Sequence, residues 1–307
     1  MKLSVVMPTY NRAELVVRAL LALADADPPG VEWEVIVVDD GSADETRATI
    51  GLVSLPVRYM RQENAGPAAA RNLGLRESTG DLILFLGDDI IATKGLLTEH
   101  VNAHRRRPGE GVAVVGYTPL HPDVARSPLA LWWEDRRFRF DRLLRGREPD
   151  FTYFYTCNVS VSRSILESVG GFDERFEAAA YEDTELAYRL RNQGLHVCFE
   201  PRAKAYHHHQ VNLRSVCRQM YVTGEWYDTF TRLTGARGIP RLWQWLGSGP
   251  WMHPKVIGRL SRLAERLQTI CVIEPLFAVV LMRHFEAGRA AAAGLTGDSL
   301  PVSAGTA

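Results

Sequence analysis

Leu82-Ile83-Leu84-Phe85-Leu86-Gly87-Asp88-Asp89 joins five consecutive apolar residues to a glycine and two carboxylates. So short and so uniformly apolar a run reads as a strand buried on both faces, the centre of a parallel sheet. The two charges that follow it have two readings. Paired carboxylates at one edge are costly without a cation, and a hard divalent metal with oxygen ligands suits them. A helix N-terminus, where acidic residues meet the macrodipole, also accommodates them.

Working outward toward the N-terminus, strand-like runs at Leu3 to Met7, Trp33 to Val38 and Val57 to Arg61 alternate with helical patterns. The helices are expected over Arg12 to Ala24, Ala43 to Ile50 and Pro67 to Ser78. That alternation is the mark of successive βαβ units, hence an α/β fold with a mostly parallel central sheet and flanking helices. Ligands of such sheets sit beyond the carboxyl ends of the strands. The segments placed there are Pro8-Thr9-Tyr10-Asn11-Arg12, Asp39-Asp40-Gly41-Ser42 and Gly87-Asp88-Asp89. Asp40 is poised to accept hydrogen bonds from a base or ribose. Ser42 with Glu45 is expected to form a capping box for the following helix. Asn64-Ala65-Gly66-Pro67 opens an Ala-rich helix on which Arg71 reads equally as a surface cation or a phosphate ligand.

Toward the C-terminus, Val112 to Gly116 continues the sheet and Leu129 to Leu144, rich in Trp, Phe and Arg, reads as one amphipathic helix. Phe151 to Ser162 is expected to be an antiparallel strand and Glu182 to Asn192 a helix. Val197 to His207 reads as two short strands broken at Pro201. Glu182-Asp183 fits a helix start, and it also supplies the carboxylate base that group transfer to a hydroxyl requires. His207-His208-His209 closes a strand; imidazoles there are either solvated or, beside carboxylates, ligands for manganese-like ions. Helices dominate after Val211, and the tail from Thr296 is expected to be disordered. Arg241, Trp243, Trp245, Trp251 and Lys255, with Arg259, Arg262 and Arg266 at helical spacing, read as a solvated helix face or as a peripheral membrane contact.

The 36 basic and 36 acidic residues among 307 cancel, so no global field gathers nucleic acid. The four cysteines, at 157, 198, 217 and 271, form no CxxC motif and suit a reducing cytoplasm. The apolar run before Pro8 is too short for a signal peptide. Ile270 to Met282 is thirteen residues interrupted by Glu274 and Pro275, short of the ~20 that span a bilayer. The expected location is therefore cytoplasmic, or peripheral at the inner face of a membrane. No GxGxxG follows the first strand and no GxxxxGK[ST] occurs, which argues against dinucleotide oxidoreductases and phosphate-loop enzymes.

Six motifs in order, Val5 to Arg12, Val37 to Ser42, Gly66-Pro67 to Arg71-Asn72, Gly87-Asp88-Asp89, Gly170-Gly171-Phe172-Asp173-Glu174 and Glu182-Asp183, resemble the family-two inverting glycosyltransferases of the GT-A fold. The resemblance covers residues 1–210. It implies a catalytic domain over 1–210, with a nucleotide-binding half at 1–110 and an acceptor-binding half at 111–210. A helical extension at 211–295 and the tail at 296–307 would follow. It implies that Pro8, Thr9, Tyr10, Arg12, Asp40, Arg71 and Asp88 hold a nucleoside-diphosphate sugar, Asp40 at the base. Asp89 and His207 would hold Mn2+ or Mg2+, Asn158 and Glu182 would line the sugar and acceptor pocket, and Asp183 would be the base of a single displacement. The acceptor would be a glycan, a lipid-linked sugar or a small molecule. Gly87 stands where family members often carry the first aspartate of D-x-D, leaving a diphosphate and His207 to complete the metal's shell. The base reading expects apolar walls or Glu182 to raise the pKa of Asp183. The rival reading is a catalytically silent nucleotide-sugar binding or scaffold protein of the same fold.

Overall fold

The computed structural model describes residues 1–109, 111–124, 127–236 and 253–294. The chain divides into two compact units, one of Met1–Arg126 with Ala130–Gln210, the other of Ser127–Leu129 with Val211–Ala307.

In the first unit, β1 (Leu3–Thr9), α1 (Ala13–Ala24), β2 (Trp33–Asp39), α2 (Thr46–Ile50), β3 (Val57–Arg61), α3 (Gly66–Glu77) and β4 (Leu82–Leu86) follow the expected alternation. Then come β5 (Ile90–Ala92), α4 (Leu96–Arg106), β6 (Val112–Tyr117), α5 (Pro128–Phe138, in this unit from Ala130 onward), α6 (Phe140–Leu144) and a 3-10 turn at Phe151–Tyr153. Strand β7 (Asn158–Ser162), α7 (Arg163–Ser168), α8 (Glu182–Asn192) and β8 (His196–His207) complete it. The eight strands form one sheet in the order β3-β2-β1-β4-β7-β6-β8-β5. Strands β1 to β4 are mutually parallel, while β7 runs antiparallel between β4 and β6.

The uniform hydrophobicity of β4 is explained by its place: all five residues are buried, alternating between two cores. Ile83 and Phe85 face one cluster with Val6, Phe172 and Leu186; Leu82, Leu84 and Leu86 face the other with Val16, Leu20 and Val101. Fully burying Phe85 stabilises the fold by roughly 1.5–3 kcal/mol. Helix α3 lies close on the sheet because its contact residues are small: a Cβ at Gly74 would stand 2.3 Å from Val6 Cγ1.

Three local expectations are corrected. The helix expected over Leu129 to Leu144 is two, because Arg139 takes a left-handed conformation (φ 50°) with its guanidinium over the Tyr153 ring, 4.3 Å from the centroid. Phe138 and Phe140 consequently turn into the core beside Tyr155 instead of lining a surface. Strand β8 is continuous: Pro201 falls in a bulge opposite Gly116 and Tyr117, where a missing N–H costs no ladder bond. Helix α2 starts at Thr46 with Glu45 at the N-cap and no side-chain cap; Asp44 Oδ1 accepts from Thr46 N at 3.1 Å in the turn before it, and Ser42 makes no capping box.

The second unit holds α9 (Leu213–Thr234), α10 (Pro254–Leu267) and α11 (Glu274–Ala292). Helices α9 and α11 meet at two glycines, where a Cβ on Gly224 would stand 1.9 Å from the Phe285 carbonyl oxygen and one on Gly288 would stand 1.9 Å from that of Tyr221. Arg259, Arg262 and Arg266 are exposed on α10 together with Val256 and Leu263. Arg241, Trp243, Trp245, Trp251 and the tail from Thr296 lie outside the described residues, as does the side chain of Lys255. Among the described residues no helix is long and apolar enough to cross a membrane.

Candidate active site

The carboxyl ends of β1, β2 and β4 and the amino end of β7 share one edge of the sheet, since Thr9 pairs with Asp39 and Leu86 with Asn158. Thr9 ties the loops there together: its carbonyl accepts from Asp40 N at 2.9 Å and its hydroxyl donates to Asp88 Oδ2 at 2.8 Å. Asn11, in the left-handed region at φ 51°, completes the connection, accepting from Ala43 N and donating its own N–H to Ser42 Oγ, both at 2.8 Å. Asparagine tolerates that conformation better than most residues, a signal present in the sequence but not used there. Pro8 is half-buried at the end of β1 and Tyr10 is exposed.

Asp40 is buried and its carboxylate is committed to the chain itself. Oδ1 accepts from Gln62 Nε2 (2.7 Å) and Ala65 N (3.0 Å), and Oδ2 from Gly66 N (2.9 Å) and Asn64 Nδ2 (3.2 Å). It therefore fixes the loop into α3, and the open cleft of about 520 Å³ beside it is lined by Gly41, Arg61, Gln62, Glu63 and Asn64. Gly66 is required at the turn, for φ is +89° and a Cβ would stand 2.2 Å from the Glu177 carbonyl oxygen. One turn further, Asn72 clamps the Gly170-Gly171-Phe172-Asp173-Glu174 loop, accepting from Phe172 N (2.8 Å) and donating to Phe172 O (2.9 Å) and Glu174 (2.8 Å).

Asp88 and Asp89 are not left to an external cation alone. Arg12 Nη1 reaches Asp88 Oδ1 at 3.0 Å and Asp89 Oδ2 at 3.3 Å, so the chain itself supplies part of the compensating positive charge. Burial, with Asp89 adding and Arg12 opposing, lifts the Asp88 carboxyl to about 6. At Asp89 burial acts upward too, but His207 and Arg12 outweigh it and hold the carboxyl well below its ordinary value. His207 Nε2 lies 3.4 Å from Asp89 Oδ2, and Glu134 of α5 lies 3.4 Å from His207 Nδ1. Burial pulls His207 down, yet the two carboxylates win and lift it to about 9. Asp89, His207 and His209 each present a ligand atom, all within 4.8 Å of one another. One oxygen and two imidazoles form a donor set suited to a borderline divalent ion. His209 Nδ1 is buried without a hydrogen-bond partner, which adds to that fit. His208 points elsewhere, to Arg18 at 3.3 Å. Sequence reasoning missed Glu134, which there is one of three acids, with Asp135 and Asp141, in an Arg- and Trp-rich stretch.

Arg71 is buried, not a surface cation, and donates to Glu182 Oε1 at 3.1 Å while stacking near Phe172. Burial and the neighbouring Asp183 push Glu182 up to about 7 against the pull of Arg71. Asp183, at the start of α8, is raised by burial, with Arg71 and the Thr184 N–H pulling it back. The structure does not put Asn158 at a pocket wall. It is 1% exposed, its oxygen bonded to His100 Nε2 (2.8 Å) and its amide donating to Thr118 and Ala203 O (both 3.2 Å). The sugar-pocket role expected for it is corrected to that of a strut: an extended chain alternates its faces, and Asn158 faces inward. Burial pushes the thiol of its neighbour Cys157 up to about 12.

A domain model described as glycosyl transferase family 2 matches residues 4–170, more than half of the chain, and one described as the N-terminal domain of galactosyltransferase matches 145–211. The chain belongs to glycosyl transferase family 2. Its fold is of the GT-A type, as in a Pyrobaculum calidifontis mannosyltransferase solved with GDP-mannose and Mn2+ (TM-score 0.60, 18% identity, 94% of this chain and 86% of that one). Residues 1–349 of Staphylococcus aureus TarS, solved with UDP, are similar too (TM-score 0.54, 16% identity, 96% and 92%). Among curated relatives, the validoxylamine A glucosyltransferase of Streptomyces hygroscopicus subsp. jinggangensis is 34% identical over 220 residues, 63% of this chain and 52% of that protein. The Escherichia coli chondroitin synthase is 28% identical over 236 residues, 67% and 34%. The chain thus spans about half the length, or less, of such relatives.

Proposed function

We propose that this chain is an inverting glycosyltransferase that moves a sugar from a nucleoside diphosphate to an acceptor hydroxyl in one displacement. The observation that carries the reading is the cluster beyond the carboxyl end of β4, where Asp89, His207 and His209 each present a ligand atom within 4.8 Å of one another, as a cation on a departing diphosphate requires. The nucleoside is assigned to the cleft lined by Gly41, Arg61, Gln62, Glu63 and Asn64, with Asp40 holding its rim and Pro8, Thr9 and Tyr10 beside it. Arg12 and Asp88 lie where the donor's ribose and diphosphate would follow.

Asp89, His207 and His209 would hold a divalent cation, Mn2+ or Mg2+, which when bound supplies positive charge to the departing diphosphate. Asp183 accepts the proton of the acceptor hydroxyl as that oxygen bonds to the anomeric carbon, while the old carbon–oxygen bond breaks and its electron pair leaves on the diphosphate. An aspartate at its ordinary value of ~3.9 is a feeble base, and burial of Asp183 corrects that in the useful direction. Glu182, tied to Arg71, fixes the start of α8 and so the aim of its neighbour. The acceptor belongs to the glycans, lipid-linked sugars or small molecules.

The test is nucleotide release from uridine, guanosine and thymidine diphosphate sugars, with and without Mn2+ and with an acceptor panel. Acceptor-dependent, Mn2+-stimulated release with an inverted anomeric product supports the reading. Tight nucleotide binding with no turnover on any pair supports a silent binding protein instead.

A further inference from the structure

Glu134 is a charged side chain with no evident task. It is 10% exposed, and both carboxylate oxygens are buried without a hydrogen-bond partner. A carboxylate in that state is expensive unless something it faces carries a proton or a charge. It faces two imidazoles: Oε2 lies 3.4 Å from His207 Nδ1 and Oε1 lies 3.5 Å from His209 Nε2. The opposite nitrogen of His207 is the one turned to Asp89, at 3.4 Å.

We propose that Glu134 is a positioning residue that takes one N–H from each imidazole, His207 Nδ1–H and His209 Nε2–H, so fixing both rings with their other nitrogens free for a divalent cation. This rests on the cation reading of Asp89, His207 and His209. Carboxylates that hold the far N–H of a ligating histidine fix its tautomer and strengthen it as a donor. One carboxylate serving two rings explains why the cluster manages with Gly87 in place of another acid: two oriented nitrogens stand in for oxygen ligands. It also explains why α5 carries an acid on the side that buries Phe138, one turn further on.

Two measurements on the whole protein test this. In the first, Mn2+ is titrated by electron paramagnetic resonance in the absence of sugar donor. Glu134→Gln should weaken binding 10- to 100-fold, while affinity for UDP without metal stays unchanged. Equal Mn2+ affinity in wild type and Glu134→Gln overturns the inference and leaves the cation reading standing. Failure of the wild type to bind Mn2+, with or without UDP, overturns the cation reading itself. The second needs no variant: histidine 15N shifts of the wild type, free and with Zn2+ as a diamagnetic probe. A proton retained at His207 Nδ1 and at His209 Nε2 in both states is the expected result. An unprotonated His207 Nδ1 in either state overturns the proposal.

Discussion

Asp40 and Asp183 both read as candidate site residues from their places after a strand and before a helix, yet their surroundings separate them. Asp40 accepts four hydrogen bonds from the loop between β3 and α3, so it shapes the cleft. Asp40→Asn would turn an NH2 toward two donors. A loss of about 1–3 kcal/mol in unfolding free energy is expected by urea titration, with UDP affinity falling roughly tenfold by calorimetry. Asp183 has a half-buried carboxylate whose partners are the N–H and the hydroxyl of Thr184, the next residue. For Asp183→Asn the turnover number should drop by about 10²–10⁴ with donor affinity preserved, which rapid-quench and equilibrium binding together would show. Turnover near the wild-type rate would remove Asp183 as the base. What no single residue's neighbours in sequence could reveal is pairing over long separations: Thr9 with Asp88, Arg71 with Glu182, and Glu134 with His207. Each looks in the sequence like an ordinary polar side chain, because its partner is 70 or more residues distant and folding alone supplies the contact.

Strands were easier to place than helix ends. The bounds of β4 matched the apolar run to the residue, because burial on both faces leaves an unbroken signature. The break between α5 and α6 was hidden, since it rests on Arg139 in a left-handed conformation with no Gly or Pro to announce it. Helical glycines show the same limit. Gly224 and Gly258 look alike in sequence, but a Cβ at Gly224 would enter the Phe285 carbonyl whereas one at Gly258 would meet nothing within 4 Å. Gly258→Ala should therefore stabilise α10 by up to ~1 kcal/mol through helix propensity. Gly224→Ala should force α9 and α11 apart and destabilise them by about 1–3 kcal/mol. Thermal melts of the two variants moving in opposite directions would bear this out, and a neutral Gly224→Ala would refute the close crossing.

Across the whole first unit, stability should depend on acid in a window set by two buried imidazoles. His100 bonds Ser160 and Asn158, and His104 shares Ser160 Oγ. Burial holds both near 4, against about 6.5 in the unfolded chain. With folded values depressed, the unfolded state takes up protons first, so stability is complete above pH 6.5 and falls as pH drops toward 4. The loss is of order 3 kcal/mol per histidine. Hydrogen exchange of β7 amides at pH 7 and pH 5 measures it directly. His104→Gln should halve the dependence, and an unchanged slope would show that His104 is not the group responsible. Asn158 thus matters to folding where its motif suggested ligand contact, because the sequence shows that it ends a loop but not which way it faces. The three consecutive histidines carry a related lesson in parity. His207 and His209 reach Asp89 and Glu134 while His208 reaches Arg18, so the side each ring takes is set by whether an odd or even number of residues precedes it after the bulge at Pro201. Removing one residue between Arg202 and Tyr206 would exchange the two sides, presenting a single imidazole where there are now two. Chain length in that short stretch is therefore as strictly constrained as the identity of the histidines themselves.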